Sequence, residues 1–136
     1  MSDAWHSIAA EFLGLYPKGR RLLAVAGADP GRSRLAADDV ALALDARGEV
    51  VERTHTADDD DGLLRSDVVA PFRAGAADDR VLVVSGPGAL LDPRIRGLWH
   101  FTVWQFAGDE PPETTASALV DVSDPAHPAR RLVDYC

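Results

Sequence analysis

The chain has 136 residues, a hydrophobic fraction of 46%, and 22 acidic residues against 14 Lys and Arg, giving a formal net charge of −8. That length and apolar content suit one domain, 1–136, with a substantial buried core, and the acidic balance argues against nucleic acid or an anionic membrane as the main partner, since both require a basic face. No apolar stretch nears the ~18 residues of a membrane span and no basic segment precedes an apolar run at the N-terminus, so the expected location is cytoplasmic.

Taken in chain order, strands and helices alternate. Ile8, Phe12 and Leu15 share one helix face within Ser7 to Tyr16, and Pro17-Lys18-Gly19 closes that segment. Leu22 to Ala26 is short, apolar and followed by Gly27, as a strand buried on both faces should be. Ser33 to Ala46 carries Leu35, Val40, Leu42 and Leu44 among alanines, and Arg47-Gly48 stops it as a helix. Glu49 to Thr54 predicts a more polar strand, the acidic run Asp58-Asp59-Asp60-Asp61-Gly62 a loop, and Leu63 to Phe72 a helix with Pro71 near its end.

Arg80 to Val84 predicts the clearest strand, closed by Ser85-Gly86-Pro87-Gly88. Phe101 to Phe106 alternates as a strand does, and Leu119 to Val122 predicts the last one. Strands separated by helical segments imply parallel pairing, hence an α/β protein: a three-layer α/β/α sandwich on a mainly parallel sheet.

The junction of the first strand with the second helix carries the chemistry. Against the phosphate-binding pattern of Gly, four residues, then Gly-Lys-Ser/Thr, the chain reads Ala26, then Gly31-Arg32-Ser33, keeping the second glycine and the hydroxyl. In such a loop backbone N–H groups cradle phosphate at a helix N-terminus, while the hydroxyl holds Mg²⁺. The candidate ligand-binding set is therefore Gly27, Ala28, Asp29, Gly31, Arg32, Ser33 and Arg34, with Ser33 the metal ligand if a Mg-nucleotide binds. The competing reading is a plain tight turn. Pro30 removes one N–H donor, and Arg32 brings a planar fork where a compact ammonium is expected. Arg32 at a helix start requires an anion or a carboxylate nearby, and Asp29 is one candidate for the latter.

Other features favour simpler readings. The Asp58 to Asp61 run lacks the ligand spacing of a calcium loop and reads as solvated surface. His55, His100 and His127 do not fall at zinc-ligand spacings. The lone Cys136 has no partner for an internal disulfide.

The chain as a whole resembles the uridine kinase-like branch of the P-loop nucleoside kinase and phosphoribulokinase group. The resemblance rests on the altered loop at 26–33, on Arg47-Gly48 leading to a strand, and on Val69-Ala70-Pro71-Phe72-Arg73-Ala74-Gly75. It rests further on the strand Val81 to Gly86 with Leu91-Asp92-Pro93-Arg94-Ile95-Arg96-Gly97-Leu98-Trp99 after it, and on Asp121-Val122-Ser123-Asp124-Pro125-Ala126-His127-Pro128. It implies a P-loop fold, ATP and Mg²⁺ as cofactors, and a catalytic acid after the second strand; that position falls on Thr56, Ala57 or Asp58 depending on a one-residue gap, Asp58 being the acid among them, and His55 is a second candidate base beside it.

Three departures point to a binding role without catalysis. The loop lysine is gone, Ser85 stands where the family has an acid, and 107–117 is a short acidic connector where the family has an Arg-bearing lid. The expected partner is a nucleotide or phosphate at the loop, or another protein, with homodimerisation as one way of covering surface the lid would cover. The alternative is a small-molecule kinase using Arg32, Ser33 and Asp58.

Overall fold

The computed structural model describes residues 3–56, 62, 64–75 and 77–131. Helix α1 (Asp3–Leu15) leads into β1 (Arg20–Gly27), α2 (Pro30–Asp45) and β2 (Val51–His55). A widened helical turn at Leu64–Val69 continues into the short α3 (Ala70–Arg73) and then β3 (Arg80–Pro87). Two short 3-10 turns, Gly88–Leu91 and Arg96–Leu98, precede β4 (Phe101–Phe106), followed by β5 (Ala118–Asp121) and β6 (Ala129–Arg131).

The six strands form one sheet in the order β2-β3-β1-β4-β5-β6, parallel throughout except for β6, which runs antiparallel to β5. Side chains of a strand alternate between faces, so a central strand covered on both sides must be apolar at consecutive positions. Leu22 to Ala26 meets that demand: Leu23 and Val25 enter one core, and Leu22, Ala24 and Ala26 enter the other. Trp5, Ile8 and Phe12 of α1 and Ala36, Val40 and Leu44 of α2 close the first core. Leu64, Val69, Phe72, Leu90, Leu98 and Trp99 close the second. The expected three layers are present, the second outer layer being built from short turns.

Along α2 the apolar Leu35 and Leu42 are exposed, and small residues form the inner face: Ala36, Ala37, Ala41 and Ala43 with Val40 and Leu44. Alanine lets a helix lie close to a sheet where leucine would hold it away. The helix predicted over 63–72 is divided at Ala70, next to Pro71, whose nitrogen has no hydrogen to donate to the preceding turn.

A charge is buried at the start of β1. Arg21, 2% exposed, donates to the carbonyls of Gly19 (2.9 Å) and Tyr16 (3.0 Å) and pairs with Glu49 at 2.6 Å. A guanidinium out of water needs this full set of acceptors. Arg20 beside it lies 5.0 Å from the centre of the Phe72 ring and donates to the Phe72 carbonyl. A Cβ on Gly75 would stand 2.4 Å from that guanidinium, so a larger residue there would have to displace the end of the Arg20 side chain.

The order of the strands fixes where a site can form. β1 is flanked by β3 on one side and β4 on the other, so the connections leaving the strand ends diverge around it. In an open parallel sheet the crevice at such a reversal, at the carboxyl ends of the strands, is where ligands bind.

Candidate functional site

At that crevice β1 ends in Gly27 and α2 begins at Pro30, leaving Ala28 and Asp29 as the connection. Asp29 is the N-cap: its Oδ1 accepts from the backbone N–H of Gly31 at 2.8 Å and of Arg32 at 3.3 Å. The first N–H groups of a helix have no partner within the helix and are what a bound anion uses. Here Pro30 has none, Gly31 and Arg32 give theirs to a carboxylate of the same loop, and Ser33 gives its own to the Asp29 carbonyl at 3.1 Å.

Gln105 of β4 fills the space above the loop. It is completely buried, and its Nε2 donates to the Asp29 carbonyl at 3.0 Å and to Ser33 Oγ at 3.1 Å. Its Oε1 accepts from Arg32 Nε at 3.2 Å. The amide lies so close to Gly27 that a Cβ there would be 2.1 Å from Nε2 and 2.5 Å from the Gln105 main-chain oxygen. Gly27 is thus needed for the approach of this glutamine.

Arg32 turns out of the loop and pairs through Nη2 with Glu110, on the connector between β4 and β5, and through Nη1 with Asp29 at 3.5 Å. Glu110 also accepts from the backbone N–H of Ala107 at 3.2 Å, which ties the connector to the helix start. The guanidinium therefore has two carboxylates, and the Gly31, Arg32 and Ser33 N–H groups all have partners within the loop.

The structure brings Gly27, Asp29, Gly31, Arg32 and Ser33 together at one point, with Ala28 between them in the loop. Arg34 is not part of that group: it lies beside Arg53, Thr54 and His55 at the β2 edge of the sheet. His55 ends β2 opposite Ser85 of β3, and its Nδ1 lies 2.8 Å from the serine Oγ. Asp58 lies outside the described residues. Among those described, no three His, Cys, Asp or Glu side chains come together in a group suited to a metal ion, and no helix is long and apolar enough to cross a membrane.

Gln105 and Glu110 are the residues that sequence reasoning missed. Gln105 left one signal, a polar side chain at an inward position of a strand whose neighbours are apolar. Glu110, on a connector without regular structure, left none.

No family model and no curated protein sequence matches the chain. Among solved structures it is similar to a protein named as a possible uridine kinase from Bacillus stearothermophilus, at 13% identity over 79% of this chain and 82% of that one, with a TM-score of 0.65. It is also similar to a protein provisionally named a fructose transport system kinase from Silicibacter sp. TM1040, at 19% identity over 75% and 74% of the two chains, with a TM-score of 0.48. The first likeness, at that identity, is one of fold: a mainly parallel α/β sheet arranged as in P-loop kinases.

Proposed function

We propose that this domain keeps the scaffold of a P-loop kinase and acts by binding, without transferring phosphoryl groups. The observation that carries the reading is the closed loop. Phosphoryl transfer depends on positively charged and N–H donors aimed at the phosphates. At this loop the Gly31 and Arg32 N–H groups are held by Asp29, Ser33 Oγ by Gln105, and the Arg32 guanidinium by Asp29 and Glu110. Two carboxylates against one guanidinium also leave the loop unfavourable for a polyanion.

The second reading is an ATP-dependent small-molecule kinase in which Arg32 supplies charge, Ser33 holds Mg²⁺ and Asp58 is the base. It is supported by the position of Arg32 and Ser33 in the first turn of α2, at the reversal point of the sheet. It requires Gln105 and Glu110 to leave the loop.

Titration calorimetry with ATP and ADP, with and without Mg²⁺, alongside an assay of ATP turnover in the presence of uridine, separates the two. The binding reading expects no turnover and no nucleotide heat at the loop. Mg²⁺-dependent ATP turnover that Ser33→Ala abolishes would establish the kinase and overturn it.

A further inference from the structure

A second concave surface lies away from the loop, between the exposed side of α2 and the ends of β2 and β3. It encloses about 340 Å³ and is lined by Arg34, Ala37, Asp38, Arg53, Thr54, His55 and Ser85. Apart from Ala37 every one of these side chains is polar, and the size suits a small ligand at the lower end of the range for such pockets.

The charges of this lining run against those of the protein. Arg34 makes no hydrogen bond or ion pair among the described residues, in a chain whose acidic residues outnumber Lys and Arg by 22 to 14. Arg53 is bonded through one nitrogen to Asp38 at 2.8 Å, leaving most of its five N–H donors available. Among the described residues Asp38 is the one carboxylate of the lining, and two guanidiniums exceed its charge. A fork of this kind recognises planar or tetrahedral oxyanions better than an ammonium does.

The floor adds a neutral donor. Ser85 is 2% exposed, and its Oγ is 2.8 Å from His55 Nδ1. A neutral His and a Ser have one N–H and one O–H between them. Their mutual bond uses one of the two, whichever way it runs, and the other remains for a ligand. Pairing of His55 with Ser85 across two parallel strands fixes the position of that donor.

We infer that this cavity binds a small dianion of the phosphate-monoester class, gripped by Arg34 and Arg53 and hydrogen-bonded by the His55–Ser85 pair. The site is separate from the strand-to-helix loop and stands whether or not that loop accepts a nucleotide.

The test is a calorimetric titration of inorganic phosphate, with methyl phosphate as the monoester probe, into the wild type, Arg34→Gln, Arg53→Gln and Arg32→Gln. Arg34 is exposed on α2, so its variant is expected to fold as the wild type does, and Arg32→Gln reports on the loop. The expected result is saturable binding of both probes, weakened about tenfold or more by Arg34→Gln and by Arg53→Gln and unchanged by Arg32→Gln. Absence of saturable binding would overturn the inference. So would binding lost in Arg32→Gln and kept in Arg34→Gln, which places the anion in the loop, or an equal small loss in all three variants, which marks diffuse attraction to positive charge.

Discussion

Glu110 forms an ion pair with Arg32 across the carboxyl ends of β1 and β4, joining the connector of the sheet's far half to the first turn of α2. A cation at a helix N-terminus opposes the helix dipole, and the carboxylates of Glu110 and Asp29 offset that opposition. Both members of the Arg32–Glu110 pair are partly open to water, so Glu110→Gln is expected to cost no more than about 1 kcal/mol of stability. Its larger effect is on charge: Arg32 is left with Asp29 alone, and phosphate affinity at the loop rises relative to the wild type. Denaturant unfolding together with phosphate titration of the variant checks both parts, and a loss of several kcal/mol would mean that Glu110 holds the connector in a way the pair does not describe.

Gln105 and Gly27 are expected to be coupled. Gln105→Ala leaves the buried Ser33 hydroxyl without its Nε2 donor, at about 1–3 kcal/mol, while the Asp29 carbonyl keeps the Ser33 backbone N–H. Gly27→Ala brings a methyl to 2.1 Å from the same amide and is expected to cost about 2–3 kcal/mol. The double variant recovers part of the second loss and only part, because the Gln105 main-chain oxygen still stands 2.5 Å from the new Cβ. Strict additivity in urea unfolding of the four proteins would contradict this packing.

What the sequence disclosed follows from how local each feature is. Phe101 to Phe106 was legible to the residue because alternation of side chains is written within the strand. β6 went unread: Ala129–Arg131 has no apolar pattern and is held by distant groups, Arg130 by Ser7 and Glu11, Arg131 by Asp121. The same division runs through the site. The place of the loop was readable from Gly27 to Ser33, and so was Asp29 as a counter-charge for Arg32. That the loop is closed was not, since Gln105 and Glu110 reach it from the other end of the chain. His55 was read as a base beside Asp58, whereas its observed partner, Ser85, is a neighbour only through the pairing of β2 with β3.

Arg21 and Glu49 test the cost of a half-satisfied buried charge. With Glu49→Gln the guanidinium stays buried and keeps only the Tyr16 and Gly19 carbonyls and a neutral amide, for an expected loss of about 3 kcal/mol. Arg21→Met in the Glu49→Gln background removes the stranded charge and is expected to restore part of that loss. A cost below about 1 kcal/mol for Glu49→Gln would show that water reaches the pair well enough to replace the carboxylate.

His100 makes stability depend on pH. Its Nδ1 accepts the Leu22 backbone N–H at 3.0 Å, so the folded protein needs that nitrogen unprotonated. Burial, and then the charges of Arg73 and Arg21, hold the imidazole below its ordinary value of 6.5. The folded state therefore takes up its proton at lower pH than the unfolded chain does. Stability from this group is fully present above about pH 6.5 and declines as the pH falls from there through the folded-state value. The paired carboxylates Asp78, Asp92, Asp121 and Asp124 are all held below their ordinary 3.8, so their own loss of stability comes at more acid pH. His100→Asn keeps an acceptor near the Nδ1 position and cannot titrate in this window. Urea midpoints measured at about pH 7.5 and about pH 5.5 should fall on acidification in the wild type and fall less in His100→Asn; equal slopes in the two proteins would assign the pH dependence to another group.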